Sequence, residues 1–459
     1  MSLEVIVLAA GKGTRMSSNI PKVLHSLGGQ PLLQHVLKCA RSTGAATISV
    51  VYGHGGDDVP EAISDPSIRW VLQEQQLGTG HAVTLAMDQA DDGAIVLVMY
   101  GDIPLIESET LARLVEAARQ NETLAILTIE LDEPGAYGRI VRESGDGERG
   151  DVKAIVESRD ASEVHLGIRE VNTGFMAAPR ALLAGWLNRL EMNNSQGEYY
   201  LTDIAAMAVA DGHHIATHSA TDPWEVEGIN SRVQLATLER VLQIRRAERL
   251  MACGVTIADP ARVDIRGECI TGRDCFFDIN LVLEGNNSIG SNVRIGPNCV
   301  LKDAEIGDNV EIHPNSIIEA SRIESNASVG PFARIRPGTV LGDGARIGNF
   351  VETKKACIGE GSKVNHLSYI GDSDIGKNVN IGAGVITCNY DGVNKNRTIV
   401  GDGAFVGSDC QLIAPVEVGA GANIGAGTTL TRDAPAEQLT LSRSPLRTLR
   451  KWRRPVKKS

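Results

Sequence analysis

The sequence predicts an α/β protein in two parts: a Rossmann-like N-terminal domain with a mostly parallel sheet, and a C-terminal parallel β-helix of hexapeptide repeats. Three observations carry this reading. Buried apolar runs alternate with helical stretches from residue 1 to about 230, an aliphatic residue recurs every six positions from about residue 263, and one long amphipathic stretch lies between them. The divisions that follow are 1–232 for the first domain, 233–253 for a linker helix, and 254–459 for the repeat domain with its basic tail.

The first strand is EVIVLAA (4–10), which runs into the turn Gly11-Lys12-Gly13-Thr14. Further apolar runs at ISVVY (48–52) and AIVLVMYGD (94–102) are bounded by helical stretches, the grammar of a covered parallel sheet. The linker puts Leu235, Leu238, Val241 and Leu242 on one helical face and stops at Gly254. Beyond it, Ile289, Ile295 and Leu301 open the aliphatic series, which continues through Ile306, Ile312 and Ile318 and ends near Ile424 and Leu430. Neither the 3.6-residue period of a helix nor the two-residue period of a strand gives a repeat of six. A coil does, because each hexapeptide forms a short strand and a turn, and stacked rungs bury a core that no rung could bury alone. Two interruptions, Glu352–Cys357 and Thr387–Ile399, are loops on a rigid scaffold, where function tends to sit.

Composition removes several function classes. With 45 Lys+Arg against 57 Asp+Glu the net charge is −12, so no general nucleic-acid partner is expected. No window reaches the roughly 18 apolar residues of a membrane span, and Glu4 stands where a secretory leader would be basic. A cytoplasmic protein with no membrane partner is expected. The eight cysteines are scattered without a C-x-x-C pair, against a zinc or disulfide framework. The last residues, RKWRRPVKKS, form a basic tail that reads as a solvated terminus.

Backbone N–H groups in Gly11–Met16 follow a strand and can cradle phosphate. The loop is neither common phosphate motif, since G-x-G-x-x-G would need glycine at Met16 and G-x-x-x-x-G-K-[ST] has no match. Alone it is as readily a tight turn. The longer run LAAGKGTRM…IPKVLHSLGGQPLLQHV (8–36) resembles the sugar-nucleotide pyrophosphorylases, which join a nucleoside triphosphate to a sugar 1-phosphate. QEQQLGTGHAV (73–83), YGDIPLI (100–106), YGRIV (137–141), VNTG (171–174), NNSQGEYYLTDI (193–204) and VEGINSR (226–232) follow in that family's order. Together with ETKKA, NHLSYIGD, NVNIGAG, TCNYDG and VGSD in the repeat half, they resemble the bifunctional bacterial N-acetylglucosamine-1-phosphate uridylyltransferases and glucosamine-1-phosphate acetyltransferases over essentially the whole chain. The tip ESGDGERGD (143–151) is longer than that family needs.

The resemblance implies acetyl transfer from acetyl-CoA to glucosamine 1-phosphate in the second half. Uridylyl transfer from UTP to N-acetylglucosamine 1-phosphate then follows in the first, supplying a precursor for peptidoglycan and lipopolysaccharide. It also implies a left-handed coil and a homotrimer with the acyl site between chains. In-line attack on a phosphate needs no protein nucleophile, so the first site is expected to work by positioning and charge neutralisation. Arg15 and Lys22 are the mobile cations beside the glycine loop, and Asp102 ends a strand at the carboxyl edge of the sheet, suited to Mg²⁺. The resemblance makes Asn230 the second metal ligand. It adds Leu8, Ala9, Ala10, Gly11, Tyr100 and Gly101 to the uridylyl site, gives Gln73, Gly78 and Thr79 to the uracil, and gives Gly138, Glu157 and Asn172 to the sugar.

Amide formation needs a base for the amine, and His366 leads, with Glu352 as orienting carboxylate. No cysteine has a basic partner arranged for ping-pong transfer, so direct attack is expected. The resemblance assigns sugar-phosphate binding to Arg336, Lys354, Tyr369 and Asn380, and acetyl-CoA binding to Ala383, Asn389, Tyr390, Ser408, Ala426 and Arg443. Three other readings fit the sequence less well. A hexapeptide carbonic anhydrase built on His313 and His366 lacks a third matching histidine, a purely regulatory coil sits poorly with Arg336, Lys354 and His366, and a noncatalytic trimeric scaffold is separated by assay.

Overall fold

The computed structural model describes residues 2–87, 93–143 and 150–454, so most of the 143–151 tip and the end of the basic tail lie outside the described residues. Two compact units divide the chain, residues 1–242 and 243–459.

In the first unit, Leu3–Leu8 is buried along its whole length, which is why it reads as an unbroken apolar run. Val5 and Val7 point to one face, against the helices Leu32–Ser42 and Ser108–Asn121. Ile6 and Leu8 point to the other, against Thr79–Met87, Arg180–Leu187 and Asp203–Ala210. The sheet order is Ala216–Ser219, Ala125–Glu130, Glu170–Pro179, Ile95–Tyr100, Leu3–Leu8, Thr47–Tyr52, Ile68–Leu72. Pairs along it are parallel except those of Glu170–Pro179, which runs against both its neighbours. Leu8 stands opposite Tyr100, so the turns leaving these two strands are adjacent at the carboxyl edge.

The helix Arg232–Ala252 starts and stops one residue before the bounds expected from sequence. Leu238 and Leu242 are buried with Met16, Leu27, Leu32 and Ile229, while Leu235 and Val241 pack alongside. Glu239 accepts a hydrogen bond from the Gly28 N–H at 2.7 Å. Further along, Gln243 is buried, and its side-chain amide donates to the Ile265 carbonyl at 3.0 Å and accepts from the Ile265 N–H at 2.6 Å.

The second unit is a coil of parallel rungs, each turn made of three short strands. Aliphatic side chains such as Ile295, Leu301, Ile306, Ile312, Ile318 and Ile323 fill its axis, none more than 5% exposed. The strict six-residue period is corrected here. Residues stacked on successive rungs are 18 apart in some places, as for Lys302 on Glu284, and 17 apart in others, as for Ser291 beside Asp308. One face of a 17-residue turn is a unit of five, as from Leu301 to Ile306. Corners that need a left-handed backbone are taken by Asn292, Asn298, Asn309, Asn315 and Asn326, the side chain that tolerates this region best after glycine.

Candidate functional site

The carboxyl edge of the first sheet opens into a cleft of about 420 Å³, lined by Leu8 to Lys12, Lys22, Gln73, Gln76, Gly78, Thr79, Tyr100 and Asp102. The glycine loop forms its floor. Gly13 has φ +58°, and a Cβ there would lie 2.8 Å from the Lys22 Cβ, so only glycine lets the loop lie on that lysine. Lys22 is not the mobile cation expected. Its ammonium is nearly buried and donates to Asp102 and, at 3.1 Å, to Asn230 Oδ1. The reason is the meeting of two turns, because the Ile229 N–H donates to the Asp102 carbonyl at 2.9 Å and thereby brings Asn230 beside Asp102. One carboxylate oxygen and one amide oxygen thus converge on a single cation. These are hard donors of the kind Mg²⁺ takes when phosphates complete its shell, so the pair fits that ion.

At the far end of the cleft Gln73 is buried and donates to the Gly78 carbonyl at 3.1 Å, and Gln76 donates to the Ala10 carbonyl at 2.9 Å, tying the two cleft walls together. The Thr79 hydroxyl accepts from the Leu201 N–H at 3.1 Å. A second cleft of about 480 Å³ shares Tyr100 and Asp102 and is lined by exposed Arg15, by Tyr137, Glu227 and Asn230, and by Gln234. Tyr137 donates to Glu227 at 3.3 Å, and its phenol is pushed above the usual range by burial and by that carboxylate. Gly138, Glu157 and Asn172 lie together. The Asn172 N–H donates to the Gly138 carbonyl at 2.8 Å, and a Cβ on Gly138 would sit 3.5 Å from Glu157 Oε1. Burial raises the Glu157 carboxyl above its ordinary value, although a 3.0 Å bond from the Thr202 hydroxyl offsets part of this.

In the second unit the residues of interest follow one edge of the prism. Ile279, Pro297, Pro314, Pro331, Asn349, His366, Ala383, Ser408 and Ala426 each precede a left-handed corner residue, from Asn280 to Gly427. Backbone bonds climb this edge from rung to rung, for example Leu367 N–H to Asn349 O, Gly384 N–H to His366 O, Asp409 N–H to Ala383 O and Gly427 N–H to Ser408 O. His366, exposed, therefore heads a row of small residues, and the Arg443 guanidinium lies beside Gly425 at its end.

The expectation that Glu352 orients His366 is corrected. Glu352 pairs with Arg336 at 2.6 Å, and its strand register sets it opposite Tyr369, beyond the corner from His366. The ring nitrogen Nδ1 of His366 instead meets Asn349 Oδ1 at 2.9 Å. Arg336 and Lys354 gather with Lys395 from the long insertion. The Lys395 ammonium, and then Arg336, hold Lys354 below the usual lysine range, a crowding of cations that an anion would relieve. Asn389 donates to Asp372, and the Tyr390 hydroxyl donates to the Gly392 carbonyl at 2.6 Å within that insertion. Asn380 stacks between Lys363 and Phe405 on an adjoining face. Burial pushes the Cys388 thiol above its ordinary value, away from a nucleophilic thiolate.

Lys12, Gln76, Tyr137, Glu227, Asn349 and Lys395 were not picked out from sequence. Asn349 had a signal, since it stands one rung before His366; the others are brought in by loops whose course no periodicity reports.

Comparison with known proteins adds three family matches: a MobA-like NTP transferase domain over residues 5–160, a GMPPB C-terminal domain over 265–349, and six bacterial transferase hexapeptide repeats over 397–432. The chain is 54% identical to the bifunctional protein GlmU of Nitrosospira multiformis, covering 99% of this chain and 98% of the relative. It is 52% identical to that of Alkalilimnicola ehrlichii, covering 99% and 97%, and 54% identical to that of Methylobacillus flagellatus, covering 99% and 98%.

Proposed function

The chain belongs to the bifunctional GlmU family, and from that premise we propose how its two units divide the synthesis of UDP-N-acetylglucosamine. The second unit acetylates glucosamine 1-phosphate and the first uridylylates the product. The chain is an enzyme with a nucleotidyltransferase half and a hexapeptide acyltransferase half.

In the first unit UTP lies along the 420 Å³ cleft, its uracil against Gln73, Gly78 and Thr79 and its phosphates over the glycine loop. Asp102 and Asn230 would hold Mg²⁺, which would supply charge neutralisation across the phosphates. Lys22, which donates to the same two oxygens, and Arg15 would balance the charge of the departing pyrophosphate. Glu157 and Asn172 orient the sugar so that its phosphate attacks in line.

In the second unit Arg336, Lys354 and Lys395 take the sugar phosphate, and His366 removes a proton from the amine as it attacks the thioester carbonyl of acetyl-CoA. The C–S bond breaks and CoA leaves as a thiol. The observation that carries this half is the edge on which His366 leads to Ala383, Ser408 and Ala426, where small side chains leave an extended arm room to lie. A homotrimer fits the same edge. Phe332, Phe350 and Leu367 are 50%, 55% and 64% exposed beside His366, and the two rings stack at 5.3 Å. Bulky side chains at left-handed corners are unfavourable, and a second copy covering them gives a reason for their presence. Eight free cysteines fit a cytoplasmic setting.

The test uses one preparation and two assays: pyrophosphate release from UTP with N-acetylglucosamine 1-phosphate, and thiol release from acetyl-CoA with glucosamine 1-phosphate. Chelation should abolish the first and spare the second. Equal loss of both in EDTA, with assembly intact, would sink the metal assignment. His366→Ala should cost roughly 10²-fold or more in thiol release alone.

A further inference from the structure

Just before His366, Gly348 of one rung faces the backbone of the next. A Cβ on Gly348 would lie 1.9 Å from the Asn365 carbonyl oxygen, so glycine alone permits the approach. The next residue of each rung, Asn349 and His366, are register partners. Both are followed by left-handed residues, Phe350 at φ 57° and Leu367 at φ 45°, so the two rungs turn the same corner in register. The outcome is the 2.9 Å contact between Asn349 Oδ1 and His366 Nδ1.

We propose that Asn349 is the positioning residue of the acetyl-transfer base, holding the imidazole in the tautomer whose proton is on Nδ1. An amide oxygen only accepts, so Nδ1 donates and Nε2 is left with the lone pair that takes the amine's proton. The rest of the edge cannot do this work. The rungs before Asn349 carry Ile279, Pro297, Pro314 and Pro331, and the rung after His366 carries Ala383, so Asn349 is the polar side chain that adjoins the ring along this edge. Glu352 is engaged by Arg336. A neutral amide also differs in effect from a carboxylate: it fixes the ring while stabilising the imidazolium less, so the base more readily passes its proton to the departing thiolate as the amide product forms.

This inference rests on the reading of the second unit as an acetyltransferase, and the experiment separates the two. In the full chain, kcat and KM for glucosamine 1-phosphate are measured by thiol release for Asn349→Leu, Asn349→Asp, His366→Ala and the double variant Asn349→Leu with His366→Ala. Asn349→Leu, near in size but without an acceptor, should lower kcat about tenfold or more and leave KM near wild type. Asn349→Asp keeps an acceptor and should retain most of the activity. The double variant should be no slower than His366→Ala, because a residue that acts through the imidazole has nothing to position once it is gone. Wild-type kcat in Asn349→Leu, or an undiminished loss on top of His366→Ala, would overturn the proposal. Full activity in His366→Ala would instead overturn the reading beneath it. Should leucine disturb the edge so that the coil unfolds, Asn349→Ala carries the same expectation, and pyrophosphate release reports the integrity of the first unit in every variant.

Discussion

Burial holds the Glu157 carboxyl above the ordinary carboxylate range, so at neutral pH the folded chain carries a charge that its surroundings disfavour. The sign follows from linkage. A carboxyl whose folded pKa is raised binds more protons in the native state, so its contribution is most favourable below the unfolded value and is lost as pH rises through the folded one. Glu157→Gln is therefore expected to raise Tm relative to wild type near pH 7, with the gain disappearing below about pH 4, while the KM for N-acetylglucosamine 1-phosphate rises. A thermal melt across pH checks it, and a gain that is the same at pH 3.5 and pH 7 would remove burial of the charge as the cause. Legibility from sequence was uneven at this scale. Asp102 was visible because it closes an apolar strand, but its partner Lys22 is 80 positions away and Asn230 is 208 from that lysine, so their meeting at one point belongs to the fold. Glu352 looked like the partner of His366 because carboxylate and imidazole stood close in sequence. A corner of the prism lies between them, and the phase of the rungs favours Asn349 instead.

Each rung of the coil contributes aliphatic side chains to a continuous axis and touches only its neighbours, so stability should be lost locally when one is cut back. Ile335 is fully buried midway along the axis. Ile335→Ala should cost about 2–5 kcal/mol, the range for truncating a buried isoleucine, read from the denaturant midpoint of the second unit. A loss under about 0.5 kcal/mol, the scale of ordinary surface changes, would show that the rungs close over the gap. The coil itself was plain in the sequence, since no other element repeats at six. The mixture of 17- and 18-residue turns was not, because a five-residue face, as from Leu301 to Ile306, keeps its aliphatic positions and shortens only the stretch between them, where the pattern is silent. The helix Arg232–Ala252 was legible for a simpler reason: its apolar face is long enough to show a period.

For the whole molecule, that helix decides where the chain can be cut. Its first half supplies Leu238 and Leu242 to the core of the first unit and Glu239 to the Gly28 N–H, so a fragment ending at 232 gives up a buried cluster. Fragment 1–252 should release pyrophosphate as the full chain does, and fragment 1–232 should melt several degrees lower, since about 1 kcal/mol moves Tm by roughly 2–4 °C in a domain of this size. Equal melting temperatures for the two would mean that Leu238 and Leu242 contribute nothing to that core. The edge that carries Asn349 and His366 has one more consequence. Rungs are spaced by about 4.8 Å, so the three steps from His366 through Ala383 and Ser408 to Ala426 mark out roughly 14 Å along a straight line. Such an edge is a graduated scale: adding one whole turn between His366 and Ala383 would move the imidazole away from everything beyond it by a single division without disturbing either end. Acyl carriers of different arm length could then be matched to the enzyme by counting turns, and the reach of a donor would be written in the number of repeats rather than in the shape of a pocket.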